Sequence, residues 1–304
     1  MVDVGTFLDV VVSGVGLGAL YALVAMGFSL IYKVTGVLNF AQGQLALVGA
    51  YGVVLFATPS ILGLGLPALA ALAATIVLGI VLGIALERVV FRQFIGEPVL
   101  SVIIVTLALG GIFTGTLRFL VGPNFRAYPQ ALQPGWSIPL PFGASVSAAF
   151  AIGVVLSLVV VVALMLFFRY TVSGSILRAA ASDQQAAMVL GVSIERTIVV
   201  AWTLSIAITA IGGILLAMAR GGAGFSIEAV GIIIFAAVVF GGLDSVPGAF
   251  IGAIVVGLLE ELGRSYAEPV VGPGFGQILP LIFLLIVIVV LPYGLFGTER
   301  IERL

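Results

Sequence analysis

Long stretches without a charged residue alternate with short charged stretches along almost the whole chain. The charge-free stretches are 10–32, 34–86, 98–117, 127–168, 197–219, 229–243, 245–259 and 269–298. Because a helix needs about 20 apolar residues to cross the hydrocarbon of a bilayer, these stretches predict membrane-spanning helices. The stretch 34–86 is divided by Pro59, Gly63, Gly65 and Pro67 into two spans and a turn, and 127–168 opens with four prolines that leave one span at about 143–168.

The stretches 229–243 and 245–259 are short for full spans, and Gly241-Gly242 and Pro247-Gly248 mark a break between them. They predict short helices around a broken region. The whole pattern predicts nine crossings, or eight if this pair is re-entrant. We therefore expect an all-α polytopic membrane protein with broken or re-entrant segments, organised as a single domain over 1–304 because no long hydrophilic stretch interrupts it.

Composition supports a membrane protein and narrows its chemistry. Hydrophobic residues make up 62% of the chain and charged residues only 8%, against roughly 25% charged residues in soluble domains, which excludes a soluble enzyme. The chain has no His and no Cys, so we expect no metal site and no cofactor. The net charge of −1 gives no basic surface for nucleic acid. No phosphate-binding loop surrounds Lys33, so ATP hydrolysis would require a partner and the chain itself is not expected to be an enzyme.

The basic residues predict an orientation. If 169–196 is cytoplasmic, alternation through nine spans places eight of the 12 basic residues inside, the side on which Lys and Arg accumulate. The basic residues placed inside are Lys33, Arg88, Arg92, Arg169, Arg178, Arg196, Arg300 and Arg303. The prediction is an outside N-terminus and a cytoplasmic C-terminus.

Polar residues interrupt the apolar pattern after the first span. Thr35, Asn39, Gln42 and Gln44 lie between two apolar runs, beside Gly36 and Gly43. Amide side chains are costly in hydrocarbon unless they face protein or water. Two interpretations stay open: a broken helix whose amides line a transport pathway, or an ordinary cytoplasmic loop.

The segment 169–196 predicts one short cytoplasmic helix. Ser182 as N-cap with Gln185 at N3 is a capping box, Asp183 suits the positive end of a helix dipole, and Gly191 suits a left-handed C-terminal stop. The helix, about 183–190, would expose Ala186, Ala187 and Met188. It either docks into a partner or merely connects two spans.

Further candidates lie near the C-terminal third and on small-residue faces. Glu228 and Asp244 bracket one short apolar run and mark either a substrate route or the two ends of a span. Four Gly-x-x-x-Gly pairs predict close helix packing: Gly14/Gly18, Gly79/Gly83, Gly111/Gly115 and Gly248/Gly252. Tyr128 and Trp136 are expected to anchor the outer membrane interface and Tyr293 the inner one.

Three motifs resemble one transporter family. Leu30-Ile-Tyr-x-Val-Thr-Gly-Val-x-Asn-Phe-Ala-x-Gly43 is similar to the permease subunits of branched-chain amino acid ABC importers, in particular the shorter of the two that such systems pair. Gln185-Ala-Ala-x-x-x-Gly191, preceded by Arg178-Ala-Ala-Ala-Ser182, looks like the Glu-Ala-Ala-x-x-x-Gly coupling signature with Gln for Glu. Ala236-Ala-Val-Val-Phe-Gly-Gly-Leu-x-Ser-x-x-Gly248 resembles the wider family, which also includes sugar and nucleoside permeases.

The resemblance implies a multi-subunit importer in the cell membrane. The implied partners are a second homologous permease, two cytoplasmic ATPase subunits, an extracytoplasmic substrate-binding protein and membrane lipid. The implied coupling residues are Arg178, Ser182, Asp183, Gln185, Ala186, Ala187 and Gly191, and the candidate pathway residues are Asn39, Gln42, Gln44 and Glu228. Many relatives carry His or an acid where this chain has Gln42 and Gln44, which leaves the substrate open.

Alternatives of substrate and of class remain. Urea, short amides, sugars and nucleosides could be imported by a permease of the same kind. A secondary transporter or channel would need an ionisable residue in mid-span for ion coupling, and none is evident in the long runs. A purely structural membrane subunit would not need the capped cytoplasmic helix.

Overall fold

The computed structural model describes residues 4–62, 64–133, 135–141, 145–182 and 184–297. Within these residues the architecture is helical, with two small two-stranded antiparallel sheets that pair β1 with β4 and β2 with β3. The helices are α1 Val4–Thr35, α2 Gln42–Ala57, α3 Pro59–Leu62, α4 Ala68–Val89, α5 Val99–Val121, α6 Ala148–Tyr170, α7 Val172–Ser182, α8 Gln184–Val189, α9 Ile194–Ala219, α10 Val230–Gly241, α11 Val246–Leu262, α12 Glu268–Val271 and α13 Phe275–Val290. The strands are β1 Arg126–Ala127, β2 Ser137–Pro139, β3 Ser145–Ser147 and β4 Gly222–Ala223.

The predicted all-α membrane architecture is confirmed. Six of the described helical stretches are long and apolar enough to cross a membrane, and three shorter apolar stretches accompany them. The six begin at Val4, Ala68, Val99, Ala148, Ile194 and Val246, and the shorter three are Gln42–Ala57, Phe225–Gly241 and Phe275–Val290. The division expected at Pro59–Pro67 falls between α2 and α4 and contains the four-residue helix α3, and the proline-rich stretch after residue 127 falls between α5 and α6.

The prediction of a short helix at 245–259 is wrong. Helix α11 continues through a π-helical turn at Gly263–Ala267 into α12, which gives a span of 26 residues, Val246–Val271. The charge at Glu260 did not end the helix, because this carboxylate accepts a hydrogen bond from the Tyr21 hydroxyl at 2.7 Å and lies 3.3 Å from the Arg264 guanidinium. A buried acidic group that is bonded in this way can remain inside a membrane helix.

Helix α1 forms the centre of the bundle. Every residue from Gly16 to Ile31 is buried, as expected for a helix that is apolar on all sides. The Gly14/Gly18 pair packs against Leu258 and Ile254 of α11, so α1 and α11 approach each other closely along an antiparallel contact. Gly79 and Gly83 likewise face α9, and Gly248 and Gly252 face α10.

The Gly111/Gly115 pair behaves differently from the other three. No heavy atom of the described residues would lie within 4 Å of a Cβ added at either position. Both glycines are on an exposed side of α5. The expected packing partner of this pair is therefore absent from the described part of this chain.

The helix ends gather at two opposite ends of the bundle. At the end we call the Lys33 end, the Lys33 ammonium lies 5.9 Å from the centre of the Phe168 ring, and Arg92 pairs with Glu195 at 3.3 Å. At the other end, the Tyr128 end, the Tyr128 N–H donates to the carbonyl of Gly221.

The interface role expected for Tyr128 is wrong. Its side chain is 3% exposed, and its hydroxyl donates to the carbonyl oxygen of Ala50 at 2.6 Å. Burial raises the pKa of this hydroxyl above its ordinary value. Tyr128 thus packs the middle of α2 against the segment that follows α5, whereas Trp136 and Tyr293 are exposed.

Candidate functional site

The polar stretch after α1 turns back into the bundle. Helix α1 ends at Thr35, and Gly36 has φ +69°, in the left-handed region that favours glycine. The side-chain amide of Gln42, the first residue of α2, donates to the carbonyl of Val24. Val24 precedes Thr35, the last residue of α1, by 11 residues and therefore lies about 16 Å back along that helix. The segment between Thr35 and Gln42 is thus a re-entrant segment, not a surface loop.

Asn39 and Gln42 form one buried network. Both are 1% exposed, and the Asn39 amide donates to Gln42 Oε1 at 2.8 Å. Gln42 Nε2 donates to Thr209 Oγ1 on α9 at 2.5 Å, while Asn39 Oδ1 accepts from the N–H of Ala41 at 3.1 Å. These bonds satisfy both amides and fix the start of α2 against α1 and α9.

The close approach of Gln42 and Thr209 to helix α1 depends on Gly27. A Cβ on Gly27 would lie 2.8 Å from Gln42 Nε2 and would also collide with the Thr209 hydroxyl. The glycine therefore makes room for the amide network on the central helix.

Gln44 faces α5 instead. The residue is half-buried, and its side chain lies against Gly110, whose Cβ would be 3.2 Å from the Gln44 amide carbon. The Gln44 Oε1 atom is buried and has no hydrogen-bond partner among the described residues. Gln44 is thus the one member of the three predicted amides whose side chain is not fully used by the fold of the described chain.

Helix α5 supplies the wall beside the re-entrant segment. The buried Thr106 hydroxyl accepts from the N–H of Phe40 at 3.2 Å. Thr106, Gly110 and Thr114 follow one another at intervals of four residues, so they lie along one side of the helix. This side meets in turn the re-entrant segment at Phe40, the amide of Gln44 and the carboxylate of Glu228.

Glu228 lies at the end of this row, toward the Tyr128 end. Its Oε2 accepts from the Thr114 hydroxyl at 2.9 Å, and its Oε1 is 3.9 Å from a guanidinium nitrogen of Arg118. The Arg118 guanidinium also lies 4.9 Å from the centre of the Phe225 ring. Because the side chains of Arg118 and Glu228 are 53% and 31% exposed, opposite charges stand side by side with free surface on both.

The structure brings the four predicted pathway residues around one location. The starts of α2 and α10 touch at Gly43 and Gly231, where a Cβ on Gly43 would lie 2.8 Å from the N atom of Gly231. Asn39 and Gln42 lie on the buried side of this contact, and Gln44 and Glu228 lie on the α5 side. The sequence did not indicate that Arg118 and Thr114 belong to this site. The available signal was that they are four residues apart at the end of the charge-free run 98–117, which places both on one side of a helix.

The coupling segment contains more helix than expected. The eight-residue helix 183–190 was predicted alone, but α7 Val172–Ser182 precedes α8 Gln184–Val189. Asp183 and the side chains of Ser182 and Gln185 lie outside the described residues, so the capping box stays a prediction. The Arg178 guanidinium donates to the Ser175 hydroxyl at 3.1 Å.

The stop at Gly191 is confirmed. Gly191 has φ +83°, its N–H donates to Met188, and the N–H of Val192 donates to the carbonyl of Ala187 at 3.0 Å, the pattern of a Schellman motif. The exposed face expected for α8 is partly wrong. Ala186 is exposed, but Ala187 is 2% exposed because it turns toward the rest of the chain.

The exposed surface of this segment consists mainly of larger apolar side chains, whereas the sequence predicted small ones. Met188, Val189 and Leu190 are 52%, 87% and 81% exposed, in a segment that also contains Arg178 and Arg196. An apolar patch of this kind on a short helix indicates a contact with another molecule.

Two buried carboxylates were missed by the sequence analysis. Glu260 is 1% exposed and bonded to Tyr21, as described above. Glu87, at the Lys33 end, is fully buried and lies 3.3 Å from Arg92. Both acids lie just beyond a charge-free run, where sequence alone places them at the membrane surface. Among the described residues, no group of three or more acidic side chains could hold a metal ion.

Comparisons with a family model and with individual proteins all lead to the same family. The model of the family described as branched-chain amino acid transport system / permease component matches residues 10–291. The high-affinity branched-chain amino acid transport system permease protein LivH of Escherichia coli K12 is 28% identical over 304 residues, which covers 98% of this chain and 97% of that protein. The permease protein BraD of Pseudomonas aeruginosa is 28% identical with full coverage of both chains.

An archaeal relative extends the range of the similarity. The probable branched-chain amino acid transport permease protein LivH of Methanocaldococcus jannaschii is 30% identical over 298 residues, or 94% of this chain and 91% of that protein. No solved structure gives a significant match.

Proposed function

The chain belongs to the branched-chain amino acid transport system permease family, and we propose that it is a transmembrane permease subunit of an ATP-driven ABC importer that moves branched-chain amino acids into the cytoplasm. A permease component implies further transporter components. The proposed ones are a second homologous permease, two cytoplasmic ATPase subunits and an extracytoplasmic binding protein. The Lys33 end is the proposed cytoplasmic side, with the N-terminus outside.

The observation that carries the substrate proposal is the Arg118–Glu228 pair beside the open side of α5. A branched-chain amino acid is a zwitterion with an aliphatic side chain. Its carboxylate is complementary to the Arg118 guanidinium and its ammonium to the Glu228 carboxylate. Gly111 and Gly115 leave space on the neighbouring surface of α5, where an aliphatic side chain would meet apolar helix.

The pathway proposed here runs along α5 and is completed by the second permease. Gln44, with its unused amide oxygen, and Glu228 contribute to its wall. Asn39 and Gln42 support this wall from behind, since their amides are consumed by bonds to α1, α9 and each other. The second permease would face the open Gly111/Gly115 surface and, by packing around this space, close the pathway.

The proposed contact with an ATPase subunit is the segment that ends at Gly191. The exposed Met188, Val189 and Leu190 would enter an apolar groove of the ATPase, and Arg178 and Ala186 would lie near its rim. Ala187 and the Gly191 stop would shape the segment from within. ATP-driven movement of the ATPases would then shift α7–α8 and, through α9, the wall of the pathway.

Reconstitution tests the substrate proposal. The transporter with all proposed components is placed in proteoliposomes, and uptake of radiolabelled L-leucine is measured with ATP inside and loaded binding protein outside. We expect Arg118→Gln and Glu228→Gln each to lower the uptake rate about tenfold, the usual effect of losing one charge-assisted hydrogen bond. The matched control, Arg88→Gln, removes an exposed charge at the Lys33 end and should leave uptake unchanged.

Two outcomes would contradict the proposal. ATP-dependent uptake of urea or of a sugar in place of leucine would reassign the substrate. Uptake that needs an ion gradient and no ATP would make the chain a secondary transporter. Equal uptake by all three variants would remove Arg118 and Glu228 from the pathway but leave the permease assignment intact.

A further inference from the structure

A cavity at the Lys33 end lies apart from the α5 surface described above. It is a partly open cavity bordered by the end of α1, the 3₁₀ turn Phe91–Phe94, the start of α5 and the start of α9, and it has a volume of about 140 Å³. The residues that form its apolar wall are Phe91, Phe94, Val99, Ile194, Ile198 and Trp202. We call it the Trp202 cavity.

The wall of the Trp202 cavity is held in place by two sets of contacts. The ring of Phe91 stacks on Trp202, with centroids 3.8 Å apart and planes 16° from parallel. Arg92 pairs with the buried Glu87 of α4 and with Glu195 of α9, both at 3.3 Å. These contacts hold the 3₁₀ turn against α4 and α9, so the shape of the cavity is fixed by the packing of the fold.

One acidic group faces this apolar space. Glu97 lines the cavity, is exposed, and has no ion pair among the described residues. The nearby Arg92 already has two acidic partners. Val99, the first residue of α5, also lines the cavity, and the N–H groups of Val99 and Leu100 precede the first hydrogen bond of the helix, which runs from Ser101 to the carbonyl of Pro98. The cavity therefore offers a carboxylate for a cation, helix N–H groups for an anion and an apolar body between them.

Size and polarity define the ligand. An apolar cavity of about 150 Å³ in a protein core takes up benzene, so the Trp202 cavity accommodates a branched aliphatic group of four or so carbons. A sugar or nucleoside would leave hydroxyl groups unpaired against the aromatic wall, which is costly. A small molecule with an ammonium, a carboxylate and an aliphatic side chain satisfies all three parts of the site.

We propose that the Trp202 cavity binds an aliphatic amino acid on the cytoplasmic side and thereby slows transport when the product accumulates. This inference rests on the proposed function for the side of the membrane and for the choice of amino acid. The cavity lies between Thr35 and Val37, which open the re-entrant segment, and Ile194, which follows the coupling segment. A ligand there stabilises the arrangement of α1, α5 and α9 that forms the cavity and disfavours any arrangement that closes it.

Equilibrium binding to the purified transporter tests the site without transport. The probe is L-leucine, titrated calorimetrically into the whole complex with the binding protein left out. We expect saturable binding with one component per copy of this chain that belongs to the Trp202 cavity, and this component should persist in Arg118→Gln, which alters only the proposed pathway. Val99→Phe fills the cavity from its partly exposed rim and Glu97→Gln removes the carboxylate, and each should weaken binding about tenfold or more.

The matched controls are residues of α5 and of the 3₁₀ turn that do not line the cavity. Leu100→Phe adds an equal ring at the neighbouring, 67% exposed position, and Gln93→Ala changes an exposed side chain of the 3₁₀ turn. Both should bind leucine like the wild type. Absence of saturable binding, or binding that Val99→Phe and Glu97→Gln leave unchanged, would overturn the proposal.

A transport measurement separates this inference from the proposed function. In proteoliposomes preloaded with L-leucine on the ATP side, the wild type should import labelled leucine several-fold more slowly than in unloaded vesicles, and Val99→Phe should lose this difference while keeping its unloaded rate. If unloaded vesicles import no leucine, the proposed function fails. If they import it and preloading changes nothing, only the regulatory site fails.

Discussion

Helices α1 and α5 are similar as sequences and opposite as structures. Both are apolar stretches long enough to span a membrane, with almost equal mean hydropathy. In α1, 78% of the most apolar 18-residue window is buried, whereas in α5 the share is 17%. Both also carry a Gly-x-x-x-Gly pair, which packs on α11 in α1 and on nothing described in α5.

The difference shows that hydropathy detects a span but not its neighbours. In lipid, an apolar side chain has the same preference for a bilayer as for a protein interior, so exposure is not visible in the residue types. The polar groups that α5 places beside its open side, Thr114 and Arg118, are what distinguish it. The closed side of the molecule around α1 should be sensitive to changes in folding, and the open side to changes in transport.

The largest expected contrast is between Gln42→Leu and Gln44→Leu. Gln42→Leu removes the partners of the Asn39 amide and of the Thr209 hydroxyl in the interior, at about 1–3 kcal/mol for each orphaned group. Gln44→Leu removes no bond within the described chain. We expect a large fall in melting temperature for the first variant only, measured on the purified protein in detergent.

Among folded molecules, Gln44→Leu should impair transport more than Gln42→Leu does. Per folded transporter, Gln44→Leu should lower leucine uptake, since its unused amide oxygen lies beside α5 in the proposed wall of the pathway. Equal melting temperatures for the two variants would remove the distinction between the supporting and the lining amides.

A smaller contrast is expected between Gly18→Val and Gly115→Val. A Cβ at Gly18 would lie 2.6 Å from the Cα of Ile254 and 2.7 Å from the carbonyl oxygen of Ala253, so α1 and α11 must separate, at about 1–3 kcal/mol. A Cβ at Gly115 would meet no described atom within 4 Å, so Gly115→Val should change stability by less than about 0.5 kcal/mol. Thermal unfolding in detergent measures both.

Co-purification sharpens this second pair. Because Gly115 lies on the surface proposed to meet a second permease, Gly115→Val should reduce recovery of that subunit from mild detergent. Full recovery of the second permease, with normal uptake, would show that the open side of α5 faces lipid alone.

A local effect on the fold, and a specific one on coupling, is expected for Gly191→Val. The left-handed backbone at φ +83° costs a side-chain-bearing residue about 1–2 kcal/mol locally. The change should leave membrane insertion normal and abolish the stimulation of ATP hydrolysis by loaded binding protein. Gly221→Val is the matched control, since Gly221 also has φ +75° and open space around it but lies at the Tyr128 end.

A result in which both variants lose stimulation would assign the effect to general strain. Stimulation kept by Gly191→Val would leave α7–α8 as a connector between α6 and α9.

Local patterns in the sequence predicted what depends on local chemistry. The apolar runs gave the helices, Pro59 and Pro67 gave the break between α2 and α4, and Gly191 gave its left-handed stop. Each of these follows from the residues within one or two turns of the chain. The family motifs added the class of transporter, which no single pattern contains.

What the sequence did not provide depends on residues far apart in the chain. Glu260 stays inside α11 because Tyr21 meets it from α1, and Tyr128 is buried because Ala50 accepts its hydroxyl. The re-entrant path of 36–41 is fixed by Thr209, and the Arg118–Glu228 pair joins α5 to the approach to α10. Ala187 faces inward for the same reason: a six-residue helix has no periodicity strong enough to show which side is covered.

The Tyr21–Glu260 bond also sets an order of events during synthesis. The two residues are 239 positions apart, and at 5–20 residues per second the ribosome needs roughly 12–48 s to produce the second after the first. During that interval the newly inserted α1 carries a phenol hydroxyl and two bare glycine surfaces in lipid. Lipid tails cover the glycines at little cost, but the hydroxyl has no permanent acceptor until α11 arrives. Translation of the last third of the chain is therefore the step that completes the centre of the bundle.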